Sequence, residues 1–119
     1  MKKILIVEDN PVNMKLFADI LEAKNYDVTK TYDGEEAYEK IKSSAYDLMI
    51  LDIQLPVLDG FSLLKKLKGE NIKYPKTIIV SAFAMDKDKQ TAKMLGCENY
   101  ITKPIDIMNF LATVEKLAK

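Results

Sequence analysis

The chain has 119 residues, 48% of them apolar and 30% charged, and its 18 basic and 18 acidic side chains cancel to zero net charge. That length admits one ordinary domain with a real core and excludes two with separate cores. The charge balance excludes a nucleic-acid binder held by bulk electrostatics, which needs a basic excess or patch. Every cation is a lysine, so the bidentate guanidinium fork that grips phosphates and bases is missing. The absence of histidine excludes Ser-His-Asp triads, imidazole bases and His-ligated zinc. It also excludes a phosphohistidine of the chain's own. Any metal must be held mainly by oxygen, which points to a hard cation such as Mg²⁺ or Ca²⁺. The lone Cys97 permits no internal disulfide and suits a reduced cytoplasm. The first apolar run stops at Glu8-Asp9, too short for a signal peptide, and no run approaches the roughly 20 apolar residues that cross a bilayer. A cytoplasmic protein without a membrane or nucleic-acid partner is expected.

In chain order, strand-like apolar runs fall at Ile4–Val7, Tyr26–Thr31, Leu48–Leu51, Thr77–Val80 and Asn99–Thr102. The first, third and fourth are continuously apolar, as strands covered on both faces are. After the first, Asn10 as cap and Pro11 as first residue start a helix whose apolar face is expected to be Val12, Leu16, Ile20 and Leu21, with Phe17 beside it. A second helix is expected over Gly34–Lys42. A third runs from about Gly60 to Lys68, capped by Asp59 and stopped by Gly69. A fourth covers about Asp86–Leu95 and stops at Gly96. The last, after Pro104, carries Ile107, Leu111, Val114 and Ala118 on one stripe.

Five β-α units in succession imply an α/β fold, a parallel sheet with helices on both faces. Right-handed crossovers then require one reversal of winding. The common five-strand order is 2-1-3-4-5, which places the reversal between strands one and three, and ligands bind outside the carboxyl ends of the strands there. Strand one ends in Glu8-Asp9 and strand three in Asp52, so three carboxylates converge on that crevice. Any one of them alone could simply cap a helix. Together they repel one another unless protonated or neutralised by a cation, and a divalent ion with oxygen ligands answers that need. Strand four ends in Ser81-Ala82 and strand five in Lys103-Pro104. Singly these are a loop hydroxyl and a surface lysine. Jointly they supply a donor and a point charge for anionic oxygens.

With these residues in place the chain resembles a response-regulator receiver domain of two-component systems, the CheY-like superfamily. The resemblance covers essentially the whole chain and rests on Ile4-Leu5-Ile6-Val7-Glu8-Asp9-Asn10, Asp47-Leu48-Met49-Ile50-Leu51-Asp52-Ile53-Gln54-Leu55-Pro56, Val80-Ser81-Ala82 and Tyr100-Ile101-Thr102-Lys103-Pro104. The stretches Asn13–Phe17, Asp52–Pro56 and Ala82-Phe83-Ala84-Met85 look closest to DivK-type single-domain response regulators. The implied fold is a (βα)5 flavodoxin-like receiver, one domain over residues 1–119 with no effector domain.

The resemblance implies that Asp52 takes a phosphoryl group from a histidine kinase or a histidine phosphotransfer protein. It implies Mg²⁺ held by Asp9, by Glu8 through water, by Asp52 and by the backbone carbonyl of Gln54. Lys103 would pair with the phosphoryl oxygens, and Ser81 would bond one of them afterwards. Gln54 and Phe83 would tune the hydrolytic reset. Ser81 and Tyr100 would carry the switch to a downstream protein target through the face of helix four, strand five and helix five, in a monomer or a phosphorylation-dependent dimer. The chain would be a signalling phosphoacceptor and not a multi-substrate enzyme; an ionised carboxylate needs no general base to act as nucleophile. Glu8 stands where Asp is often found, and Ser81 replaces the commoner Thr, which loosens the rotamer.

An alternative is a receiver fragment excised from a hybrid histidine kinase or a longer regulator. A flavodoxin-like cofactor binder is disfavoured because Glu8-Asp9 would repel a phosphate without a metal. A Mg²⁺ phosphatase with an aspartyl nucleophile would want an acid two residues on, where Gln54 stands.

Overall fold

The computed structural model describes residues 1–83 and 85–118; Ala84 of the Ala82–Met85 stretch and the terminal Lys119 lie outside the described residues. The elements alternate as β1 (Lys3–Val7), α1 (Pro11–Ala23), β2 (Asp27–Thr31), α2 (Gly34–Ser43), β3 (Leu48–Asp52), α3 (Gly60–Gly69), β4 (Lys76–Ser81), α4 (Asp86–Met94), β5 (Asn99–Thr102) and α5 (Ile107–Leu117). All four strand pairings are parallel, in the order β2-β1-β3-β4-β5. The expected fold class and the expected reversal between β1 and β3 are both present.

Alternation along the strands divides the core in two. Ile4, Ile6, Leu48, Ile50, Ile78 and Val80 face α1 and α5, while Leu5, Val7, Met49, Leu51 and Ile79 face α2, α3 and α4. Two buried faces explain why β1, β3 and β4 read as unbroken apolar runs.

The helix ends follow from local chemistry. Asn10 Oδ1 accepts the Val12 and Asn13 N–H groups, Asp33 accepts that of Glu36, Asp59 that of Ser62, and Asp106 those of Met108 and Asn109. Each satisfies donors that a first turn leaves unpaired. Three helices close on a left-handed residue: Asn25 at φ 66°, Asn71 at φ 58° and Gly96 at φ 83°. In each the next N–H bonds back to the helix, from Tyr26 to Leu21, Ile72 to Leu67 and Cys97 to Ala92. Gly69, the expected stop of α3, is its last helical residue, and Asn71 makes the reversal instead. An Asn side chain tolerates that conformation, so glycine is not required.

Two helix faces differ from their sequence reading. On α1 the buried residues are Met14, Phe17, Ala18 and Leu21, whereas Val12 is 77% and Leu16 40% exposed. On α5 Phe110 and Val114 are buried and Ile107 is exposed. The expected stripes were rotated because Val12, Leu16 and Ile107 are apolar without being core: Leu16 and Ile107 line a shallow groove with Phe17 and Pro104. Phe17 and Phe110, 5.4 Å apart between ring centroids, join the two helices instead.

Cys97 is buried beneath α4, and burial pushes its thiol up to about 11. The thiolate is the reactive form. Alkylation of native protein at pH 7.5 is therefore expected to be at least about tenfold slower than in denaturant, as read by a timed iodoacetamide quench.

Candidate functional site

Strands β1, β3, β4 and β5 deliver their C-terminal ends to one edge of the sheet. Glu8 follows β1 with its backbone N–H on the Thr31 carbonyl at 3.1 Å, and the residue is only 1% exposed. Asp9, next in the chain, is exposed. Asp52 ends β3 and is 5% exposed. One carboxylate oxygen from each of Glu8, Asp9 and Asp52 lies within 4.8 Å of the other two. The three acids proposed from the sequence thus do converge.

Lys103 enters this cluster from the end of β5. Its Nζ donates to Glu8 Oε1 at 2.7 Å and to Asp52 Oδ2 at 2.8 Å. The free oxygens of the two acids are also held: Gln54 N–H donates to Asp52 Oδ1 at 2.9 Å, and Asn10 N–H to Glu8 Oε2 at 3.1 Å. Gln54 therefore sits in the turn directly beyond Asp52. Lys103 precedes Pro104 across a cis peptide bond.

One ammonium faces three carboxylates, and the electrostatics record the imbalance. Burial holds the Glu8 carboxyl above its ordinary value of 4.5, against the lowering effect of its hydrogen bonds from Lys103 and Asn10; nearby Asp52 adds to the rise. For Lys103 burial works the other way, but hydrogen bonds to Asp52 and Glu8 outweigh it and keep the ammonium above its ordinary 10.5. The residues fit a hard divalent cation: the donors are all oxygens, two are buried, and negative charge remains after Lys103 is counted.

A pH dependence follows. Because Glu8 binds its proton more tightly folded than unfolded, that contribution to stability is fully present below about pH 4.5 and is lost as pH rises through the raised value. Metal-free Glu8→Gln is expected to lose this slope while the parent keeps it, as urea midpoints taken between pH 4 and 7 would show.

Ser81 ends β4, fully buried, with its Oγ accepting the Phe83 N–H at 3.1 Å. The Lys103 N–H bonds to the Ser81 carbonyl at 2.7 Å, so the two residues are tied through backbone. Tyr100, in β5, is half-buried and does not join the acids; its hydroxyl donates to the Phe83 carbonyl at 2.9 Å. Phe83 thus links Ser81 and Tyr100 through its own backbone. A backbone bridge leaves no trace in side-chain identity, and sequence reasoning missed it.

A parallel sheet of this order, with acids and a lysine at its winding reversal, defines a protein of the CheY-like class. The chain belongs to the response regulator receiver domain family, whose model matches residues 4–115. It is 42% identical over 115 residues to the polar-differentiation response regulator DivK of Brucella ovis, spanning 96% of this chain and 94% of that protein. The Francisella response regulator 1452 receiver domain superposes with a TM-score of 0.90 at 32% identity, covering 99% of this chain and 97% of that one. The receiver domain of the Pseudomonas aeruginosa sensor histidine kinase PA1611, solved with magnesium coordinated in its active site cleft, matches with a TM-score of 0.87 and 30% identity over 98% of this chain and 97% of that one. As a family, receiver domains are signalling phosphoacceptors that work with histidine kinases and downstream targets. Among the described residues no helix is long and apolar enough to cross a membrane.

Proposed function

We propose that the chain is a phosphoacceptor of a two-component phosphorelay and that Asp52 takes the phosphoryl group from a phosphohistidine of a histidine kinase or phosphotransfer protein. The observation that carries this reading is the contact of Lys103 Nζ with both Glu8 and Asp52 at the winding reversal. An Asp52 oxygen attacks phosphorus as the P–N bond breaks, and the electron pair returns to the imidazole nitrogen. Gln54 N–H and Lys103 fix the carboxylate for that attack and hold its charge in place. Glu8, Asp9, Asp52 and the Gln54 carbonyl are the groups that would hold Mg²⁺. When bound, the ion would offset the charge on the transferred oxygens.

Phosphorylation replaces the single charge of the Asp52 carboxylate with a phosphoryl group carrying close to two, a net gain of about one, and places new acceptor oxygens beside Lys103 and Ser81. If Ser81 turns its hydroxyl to one of those oxygens, the Phe83 N–H loses its partner, and the loop that holds the Tyr100 hydroxyl is freed to move. Ser81 and Tyr100 are in this way the switch, and the surface of α4, β5 and α5 is the face a protein target reads. We place this activity in the cytoplasm, in a monomer or a phosphorylation-dependent dimer.

The test is the intact mass after incubation with an acyl phosphate donor, with Mg²⁺ and with a chelator. One base-labile phosphoryl group gained only with Mg²⁺ supports the reading. No gain over a range of donors and divalent ions contradicts it.

A further inference from the structure

Thr31 ends the edge strand β2, outside the crevice, and is fully buried. Its Oγ1 donates to the Ile6 carbonyl at 2.8 Å, and its own carbonyl accepts the Glu8 N–H at 3.1 Å. The two bonds bracket Val7 and fix the segment of β1 that delivers Glu8 and Asp9. Three residues further on, Gly34 opens α2 against the loop between β3 and α3. A Cβ on Gly34 would lie 1.9 Å from the Leu58 carbonyl oxygen, a backbone atom that cannot swing aside. That same loop leaves β3 directly after Asp52 and closes on itself through Gly60 N–H to the Ile53 carbonyl at 3.1 Å. Thr31–Gly34 is therefore one short corner, with one end bonded to the strand that leads into the acid pair and the other packed on the loop that follows Asp52.

We infer that Thr31 is a positioning residue for the crevice, its hydroxyl and carbonyl setting the separation between the Glu8-Asp9 pair and Asp52. This rests on the reading above that the crevice holds Mg²⁺. Cation sites need their ligands held to about half an ångström, so small displacements are felt in affinity. The hydroxyl is what matters. Valine has nearly the same shape as threonine without the donor, whereas serine keeps the donor and drops only a methyl.

Amide hydrogen exchange on metal-free protein, followed by Mg²⁺ titration, separates these roles. In Thr31→Val the Glu8 amide is expected to exchange about fivefold or more faster than in the parent while Ile50 in β3 is unchanged, and Mg²⁺ affinity is expected to fall about fivefold, the worth of one hydrogen bond. Thr31→Ser is expected to stay within about twofold of the parent in both readouts, although serine, unlike valine, gives up a methyl's packing. The inference is overturned if Thr31→Val matches the parent, or if Thr31→Ser falls as far as Thr31→Val. Uptake of no Mg²⁺ by the parent, with the Glu8 amide still following the valine–serine split, would defeat the metal reading and leave the positioning role standing.

Discussion

Lys103→Met is expected to cost about 3 kcal/mol of stability at pH 7.5 without metal, the lower end of the range for removing one partner of a buried ion pair. The stem of Lys103 is nearly matched by methionine, so packing changes little. What is lost is the ammonium that touches both Glu8 and Asp52, at 2.7 and 2.8 Å. Those carboxylates are almost completely buried, and neither can turn to water for compensation without moving. Lys103 itself keeps 18% of its side chain in solvent, which is why the low end of the range applies. Two conditions should restore much of the loss. Millimolar Mg²⁺ supplies the missing positive charge, and acidification lets Glu8, already held above its ordinary value by burial, take up a proton. Urea unfolding at two pH values, with and without Mg²⁺, checks all of this. Equal stability of parent and variant under every condition would show that the acids are satisfied without Lys103.

Asp52→Asn is expected to weaken Mg²⁺ binding about tenfold or more, because the substitution removes a full charge from the acid cluster that would hold the cation. A unit charge pair at 4 Å is worth about 4 kcal/mol at an effective dielectric constant of 20, and tenfold in affinity is only about 1.4 kcal/mol. The Gln54 N–H still finds an amide oxygen to bond, so the turn should persist. Calorimetric titration measures the effect. An affinity unchanged by the substitution would remove Asp52 from the ligand set and leave Glu8 and Asp9 as a separate acidic pair.

Much of this was legible in the sequence for physical reasons that apply locally. The strand order follows from five βα units and the handedness of crossovers. The site location follows from the winding reversal, and the acids were visible because strands one and three end in them. What escaped was whatever depends on packing between elements. Val12, Leu16 and Ile107 are apolar at helical spacing and still outside the core, because Phe17 and Phe110 meet there instead. Asn71 makes the reversal after α3 that was expected of Gly69, since both residue types can take a left-handed backbone. Thr31 carries no charge and sits on an edge strand, so nothing in its identity marks it as a neighbour of Glu8. The Phe83 bridge between Ser81 and Tyr100 is made by backbone atoms, which every residue has.

The most direct measurement is the position of the phosphoryl group. Protein treated with Mg²⁺ and an acyl phosphate donor is reduced with borohydride, which converts a phosphorylated aspartate to homoserine, and is then digested and sequenced by mass spectrometry. The account predicts homoserine at position 52 and nowhere else. Homoserine at Asp9 or at another aspartate, with position 52 unmodified, would contradict it.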